Sequence, residues 1–405
     1  MLNEKTQQRM LAYTARVGAI TPIAGADNIE LISVLGWKCI AKKGEFHEGD
    51  MCVYFEIDSK VPAKDWSAFL ESKGYKIKTM KLSKFGVISQ GLALPVDVFD
   101  VKIPEEEYAD CTALLGVTYA VAEDNQRKAA NVDPKAKYVS MKARHPKVFK
   151  TRFAKWMMKR EWGRRVMFVL FGKKKDKGTS FPNHFPYIHV SDEERCENIP
   201  DILTDKSEWV KTTKIDGTSS LYILERKRFK RFEFYVVSRR VRQLTPSQPC
   251  YHEDNVYWQV AEKYHIKDCL MTLLKEHPEW SYVAIQGETA GVSNNEAKIQ
   301  GDPHRFGELR FFGYNFITSD IGRWETPKAA EFLKGFGIPW VPIIDEHYIL
   351  PDDMKEFKAS ADGPCEAKGA SGLREGYVYR RAHFKDGCIN SFKNVSVKYL
   401  LKDRK

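Results

Sequence analysis

The placement of charge constrains this chain more than any other feature. Residues 127–178 hold eighteen Lys and Arg against three acids, Asp133, Glu161 and Asp176. That segment carries +15 of a formal net charge of +11, so the rest of the chain is left with about −4. Like charges at that density cannot be buried together, because each unpaired ion costs several kcal/mol to desolvate. The block must therefore stay at a surface, with packed bodies on either side of it. It either meets a polyanion or serves as a solvated segment.

At 405 residues the chain has room for two or three domains, at roughly 100–200 residues each. Its longest apolar run, 166–171, falls far short of the ~20 residues that span a bilayer, so no membrane segment is expected. The first residues lack the basic-then-apolar pattern of a secretory signal. The eight cysteines show no C-x-x-C spacing, which indicates neither a zinc site nor a disulfide framework. Reduced thiols in a cytoplasmic protein, and a monomer, are the expectation.

Residues 1–115 read as a small β-rich module. Strands are predicted at 12–20, 29–34, 37–42, 51–57 and 87–94, a count that suits an OB-like barrel. A lysine series, Lys73, Lys76, Lys78, Lys81 and Lys84, is either a nucleic-acid face or a polar loop. Residues 116–180 form a basic linker or insert. Within it, 149–158 and 160–171 suggest a helical pair with a basic outer face and the aromatics Phe149, Phe153, Trp156, Trp162 and Phe168 packed inward. Lys173–Gly178 reads as a linker. Residues 181–405 read as a larger α+β domain. Strands are expected at 210–214, 219–226, 232–238, 282–288, 309–316, 375–380 and 390–397. An amphipathic helical region is expected from Val256 to Leu274, and a helix through Ala329–Leu333 that stops at Gly335.

In this last domain Lys214-Ile215-Asp216-Gly217 places a lysine at a strand end beside an Asp-Gly turn. Such an amine can be aimed into a cleft. With an ordinary pKa near ~10.4 it is protonated and inert, so neighbouring cations or desolvation must lower that value. By itself the tetrapeptide equally suits a surface hairpin. Further signals follow it: Ser238-Arg239, Gly287-Glu288, the aromatic strand 311–316, Glu375-Gly376-Tyr377-Val378-Tyr379-Arg380, and Ser391-Phe392-Lys393 with Lys398 beyond. Each is ordinary alone. Together they supply what nucleotidyl transfer requires: an aromatic ring for the base, a carboxylate for the ribose hydroxyls, cations for the phosphates and a carboxylate for a metal.

In this order the segments resemble the motifs of the covalent nucleotidyltransferase superfamily, which comprises DNA ligases, RNA ligases and mRNA capping enzymes. They are most similar to the ATP-dependent, nick-sealing RNA ligases with an OB module ahead of the catalytic domain. The resemblance implies an α+β chain: an N-terminal OB-like β-barrel, a basic insert, and a C-terminal nucleotidyltransferase (ATP-grasp-like ligase adenylation) domain of antiparallel sheets and helices. It implies that Lys214 is the adenylated nucleophile and that Asp216 and Gly217 shape its turn. Arg239 would contact the ribose or a polynucleotide phosphate, and Glu288 the ribose. Tyr314, with Phe312 as the second candidate, would stack on the base. Lys393 would contact the α-phosphate, with Lys398 as its mate. Glu375 and Glu288 are the implied metal ligands. The implied cofactors are ATP, carried as a lysyl-AMP adduct, and Mg2+ or Mn2+. The implied partner is RNA with nicked or broken ends, possibly in an RNA/DNA hybrid.

Some positions depart from the family pattern: Arg240 stands for an Asn, Asn315 for an Asp, and 291–298 looks inserted. The chain runs only seven residues past Lys398, leaving no space for the additional OB domain of DNA ligases and capping enzymes. The expectation is an RNA ligase acting in RNA repair. The alternatives are a DNA ligase or capping guanylyltransferase, or a non-catalytic RNA-binding protein with a vestigial nucleotide site. Because every motif lies beyond residue 181, loss of residues 1–115 is expected to harm sealing more than self-adenylation.

Overall fold

The structure is a computed structural model that describes residues 1, 3, 9–120, 146–149, 151–171, 185–189, 193–239, 241–243, 245, 255–385 and 388–402. The expected linker Lys173–Gly178 and Arg240 lie outside these residues. No helix among the described residues is long and apolar enough to cross a membrane.

The N-terminal module contains β1 (Ala12–Pro22), β2 (Ile29–Val34), β3 (Trp37–Lys42), β4 (Met51–Phe55), β5 (Ser59–Lys60), β6 (Met80–Leu82), β7 (Val87–Ser89), β8 (Leu92–Pro95) and β9 (Thr118–Tyr119). The main sheet runs β3-β2-β1-β4-β8 and is antiparallel throughout. β4 shows why it curls. Successive side chains of a strand alternate faces, and both faces of β4 are covered. Cys52 and Tyr54 enter one core with Tyr13 and Trp37, while Val53 and Phe55 enter another with Leu70 and Leu94. The strand expected at 87–94 is split in two by Gly91. Its φ of +85° favours glycine, and a Cβ there would strike the Tyr54 ring. The module also runs past residue 115: β9 pairs with β5, and Leu115 and Val117 are buried in the second core.

The insert supplies α1 (Pro146–Phe149), α2 (Arg152–Met158) and α3 (Glu161–Phe171). The helical pair is present and Phe149 packs inward as expected, but three of the other aromatics do not, and the side chain of Phe168 lies outside those described. Phe153 is 67% exposed, Trp156 46% and Trp162 53%. The inner face is made instead by Phe149, Ala154, Met157 and Met167. Positions 154 and 157 share one side of a 3.6-residue helix, which leaves 153 and 156 on another. The Arg160 guanidinium lies over the Trp156 ring at 3.9 Å.

The C-terminal body continues with β10 (Glu194–Arg195), β11 (Trp209–Lys214), β12 (Thr218–Arg226), β13 (Phe232–Ser238), β14 (Tyr282–Ala290), β15 (Arg310–Thr318), β16 (Gly322–Arg323), β17 (Ile343–Tyr348), β18 (Gly376–Arg381) and β19 (Ser391–Val395). Two five-stranded sheets result, ordered β10-β19-β18-β11-β17 and β13-β12-β14-β15-β16. The second packs its apolar face on α4 (Val256–Lys263), α5 (Ile266–Glu276) and α6 (Thr326–Lys334), which bury Leu270, Leu273, Leu274 and Leu333. The helical region expected from Val256 to Leu274 is broken at His265, whose left-handed φ of 49° ends one helix before the next begins. α7 (Met354–Ala359) buries Phe357 against the first sheet. The last strand stops at Val395, two residues earlier than expected. Ser396 Oγ accepts the Tyr399 backbone N–H at 3.1 Å and caps α8 (Val397–Lys402).

The two bodies meet through buried polar groups. Asn198 Oδ1 accepts from Tyr13 Oη at 3.1 Å and Trp37 Nε1 at 2.6 Å, while Nδ2 donates to Glu56 at 2.8 Å. Arg9 pairs with the fully buried Glu56. Across the same joint, Lys358 Nζ donates to Gln90 Oε1 at 3.1 Å while it pairs with buried Glu197 of its own body at 3.1 Å.

Candidate active site

Lys214 is the last residue of β11, and the next strand, β12, belongs to the other sheet. Ile215-Asp216-Gly217 is thus the crossing between the two sheets, and a cleft of about 380 Å³ opens there. Gly217 is required at this crossing. A Cβ would run into the Thr289 carbonyl, since the turn lies directly on β14.

Two strand pairings bring the carboxylates to the lysine. β11 runs antiparallel to β18 with Lys214 opposite Gly376, so Glu375 stands next to it. β12 runs antiparallel to β14 with Ser219 opposite Glu288. Lys214 Nζ lies 2.6 Å from Glu375 Oε2 in a partly buried ion pair. The surroundings differ from the cationic ones expected. Burial favours the neutral amine, but Glu375, Glu288 and Asp216 outweigh it and raise the Lys214 pKa above its ordinary value. Burial pushes Glu288 up to about 8; Lys214 opposes this, while Glu375, Asp216 and Glu193 add to it. Next to the amine itself, carboxylates therefore outnumber cations, although the cleft as a whole is also lined by arginines and Lys393.

Asp216 is held by two other segments of the chain. Tyr399 Oη on α8 donates to its carboxylate at 2.6 Å. The backbone N–H of Asp216 donates to His304 Nε2 at 2.8 Å, and His304 Nδ1 donates to the Leu373 carbonyl at 2.9 Å. Burial lowers the pKa of His304, which keeps it neutral and able to accept.

Of the two aromatic candidates, only Tyr314 lines the cleft. The β14–β15 register slips between Gln286, opposite Asn315, and Gly287, opposite Gly313, which leaves Tyr314 as the extra residue of a bulge. Bulges re-aim side chains. Tyr314 Oη meets Ser219 Oγ at 3.2 Å, and Arg380 lies 5.5 Å from its ring. Phe312 instead packs in a core cluster with Ile215, Ala290 and Phe306, so it is not a stacking surface here.

Lys393 lines the cleft from β19 and Arg239 from the end of β13. Lys398 does not line the cleft. It lies on α8, its side chain is 71% exposed, and Nζ sits 3.7 Å from Asp362. A helix in place of a continued strand is the reason. The cation beside Lys393 is Arg195, which faces it across the parallel β10–β19 pair. Arg380, nearly fully buried, donates to Glu193 at 3.0 Å and to Thr212 at 3.3 Å and completes this wall. Sequence reasoning missed Arg195, Glu193, His304 and Tyr399, which no local motif marks. It also missed Arg9, Asp58 and Tyr119, by which the N-terminal module walls the same cleft. A clean division of labour, with nucleotide chemistry confined beyond residue 181, does not fit that arrangement.

The residues fit a hard divalent cation. Carboxylates of Glu288, Glu375 and Asp216 crowd the lysine, and a cation among them would return Glu288 to its charged form. Among the described residues no three acidic or imidazole side chains already converge as a closed cage. That suits an ion held by one or two carboxylates and completed by phosphate oxygens and water.

A model of the RNA ligase family matches residues 207–400, and an OB-fold domain model matches residues 11–96. No curated protein matches the chain. Solved structures of Naegleria gruberi RNA ligase are similar along nearly the whole length. An apo point mutant aligns with a TM-score of 0.69 and 27% identity, over 97% of this chain and 98% of that one. A mutant with ATP and Mn gives 0.69 and 27%, over 98% of both chains. The form with PPi gives 0.68 and 26%, over 98% and 99%. The lysine, its carboxylates and the cationic wall thus assemble at one sheet crossing in a chain that carries an RNA ligase domain behind an OB-fold domain.

Proposed function

We propose that this ATP-dependent RNA ligase joins RNA ends through an adenylate carried on Lys214. One observation carries the assignment of the nucleophile: Lys214 Nζ stands at the sheet crossing in a 2.6 Å pair with Glu375, within a cleft that Tyr314, Glu288 and Lys393 also line. Once deprotonated, Nζ attacks the α-phosphorus of ATP. An N–P bond forms, the bond to the bridging oxygen breaks, and pyrophosphate leaves. The AMP then passes to an RNA 5′-phosphate, and a 3′-hydroxyl displaces it to form the phosphodiester. Tyr314 stacks on the adenine. Glu288 accepts from the ribose, and Lys393 and Arg195 steady the phosphates. Asp216, pinned by Tyr399 and His304, fixes the turn that aims the amine. A divalent cation on Glu375 and Glu288 would neutralise phosphate charge and weaken the carboxylate field that keeps Lys214 protonated. In-line positioning and charge neutralisation supply most of the rate.

The test is labelling with ATP or GTP, followed by denaturing gel electrophoresis. ATP with Mg2+ or Mn2+ is expected to leave an acid-labile, pyrophosphate-reversible adduct. Labelling by GTP alone would replace the ligase reading with a guanylyltransferase. Tyr314→Ala is expected to raise the KM for ATP about 5–150-fold, since base–aromatic stacking is worth ~1–3 kcal/mol. An unchanged KM would remove Tyr314 from the base site.

Nicked RNA, including nicks in an RNA/DNA hybrid, is the substrate that best suits a cleft walled by two bodies. A monomeric, cytoplasmic protein is the accompanying proposal. It draws support from the seven described cysteines, all of them free thiols and six of them buried.

A further inference from the structure

The lysine series of the N-terminal module surrounds a groove. The 3₁₀ segment Asp65–Lys73 and the hairpin β6–β7 form its sides. It encloses about 490 Å³. The floor is apolar, with Ile40, Leu70, Met80 and Leu82. Phe69 stands at its edge, 58% exposed, which is unusual for a phenylalanine. Lys73, Lys76, Lys78 and Lys81 form the rim, and no acidic residue lines it.

The groove is not isolated. A second cavity shares Lys73 and Lys76 with it, continues to Lys60 and Thr118, and is likewise free of acids. Lys60 and Thr118 face each other on β5 and β9, and Ser59 faces Tyr119 in the same ladder. Tyr119 and Asp58 already wall the cleft that holds Lys214. A cationic path thus leads from the nucleotide site across the N-terminal module to an apolar floor.

We propose that this path binds the RNA strand leading away from the junction being sealed, with its phosphates on Lys60, Lys73, Lys76, Lys78 and Lys81 and an unstacked base against Phe69 and the apolar floor. The proposal rests on the RNA ligase reading. A cationic rim over an apolar floor is the chemistry of a polynucleotide, whose anionic backbone and flat bases need both. Continuity with the cleft argues for RNA over other polyanions, because an end positioned at Lys214 must have a way out.

The experiment uses the full chain and a nicked RNA duplex, with two readouts: adduct formation from labelled ATP, and the KM for the duplex at several salt concentrations. In the unaltered protein, failure to form the adduct overturns the ligase reading and not the path. In the quadruple variant Lys73→Ala/Lys76→Ala/Lys78→Ala/Lys81→Ala, adduct formation should stay within about 2-fold. The log–log slope of duplex affinity against salt should shrink by about three to four, close to one for each phosphate no longer neutralised. In Phe69→Ala, the duplex KM should rise about 5-fold or more with the slope unchanged, as expected for stacking. An unchanged KM and slope in these variants overturns the proposal, as it would if the groove held a protein instead. Should the quadruple variant fail to fold, the unaltered protein decides the matter by photo-crosslinking of 4-thiouridine placed along the strand. Crosslinks within the peptide Phe69–Leu82 support the path, and crosslinks only elsewhere overturn it.

Discussion

Lys214→Ala abolishes the protein–AMP adduct and leaves RNA binding nearly unchanged: that is the expected result with the largest effect. The reason is covalent. Lys214 Nζ is the amine that the sheet crossing holds 2.6 Å from Glu375, and its removal takes away the acceptor of AMP. Lys214→Arg should fail equally, since a guanidinium stays protonated and cannot attack. Because the carboxylates raise the Lys214 pKa, its ammonium persists at neutral pH, and adduct formation should climb as the pH rises. Adenylation measured against pH in single-turnover reactions checks the direction. Labelling that persists in Lys214→Ala would move the nucleophile elsewhere.

The second large effect is on stability. Glu56 is fully buried, and its pKa is lowered to about 2. Burial opposes this, while Arg9, the Met1 amino group and Asn198 bring it about. A carboxylate with a depressed folded pKa stabilises the fold above its unfolded value of about 4.5, and that contribution disappears as the pH falls towards about 2. Glu56→Gln leaves Arg9 beside a neutral amide and is expected to cost about 3 kcal/mol at neutral pH. Denaturant midpoints of the two proteins should therefore differ at pH 6, draw together below about pH 4.5 and converge as the pH nears about 2. Curves that run parallel across that range would show that Glu56 does not act through its charge. Because Arg9 also walls the nucleotide cleft, the same variant should slow adenylation, which a purely peripheral N-terminal module would not predict.

Much of the site was legible in the sequence because its signals are local. Lys214 and Gly217 sit in one turn, Glu288 ends a Gly-Glu pair on a strand, and Glu375 opens one. What could not be read was set by distant partners. Arg195 becomes the neighbour of Lys393 only through a parallel pairing across nearly two hundred residues of chain. His304 and Tyr399 converge on Asp216 from two further segments. The charge environment of Lys214 was misjudged for the same reason: motif order reveals which charges exist but not which of them stand nearest. Tyr314 and Phe312 differ by two positions, and an unbroken strand would present both alike. The bulge at Gly313 separates them, and no composition signal marks a bulge. The last strand was expected to run to 397, up to Lys398, because Val395 and Val397 are β-branched. The Ser396 hydroxyl, a cap three residues ahead of Tyr399, turned the chain into a helix. In the insert, the helical period was visible, but which face turns inward depended on a four-residue cluster too small to shelter three large aromatics.

His304 gives this enzyme an internal spectroscopic probe. One ring nitrogen must accept from the Asp216 amide and the other must donate to the Leu373 carbonyl, so the imidazole is frozen in the Nδ1–H tautomer. That form is the minor one for a free histidine and has a distinct nitrogen signature. Its ring therefore reports, without any label on ATP or RNA, whether the turn carrying Lys214 is locked or released at each step of the ligation cycle.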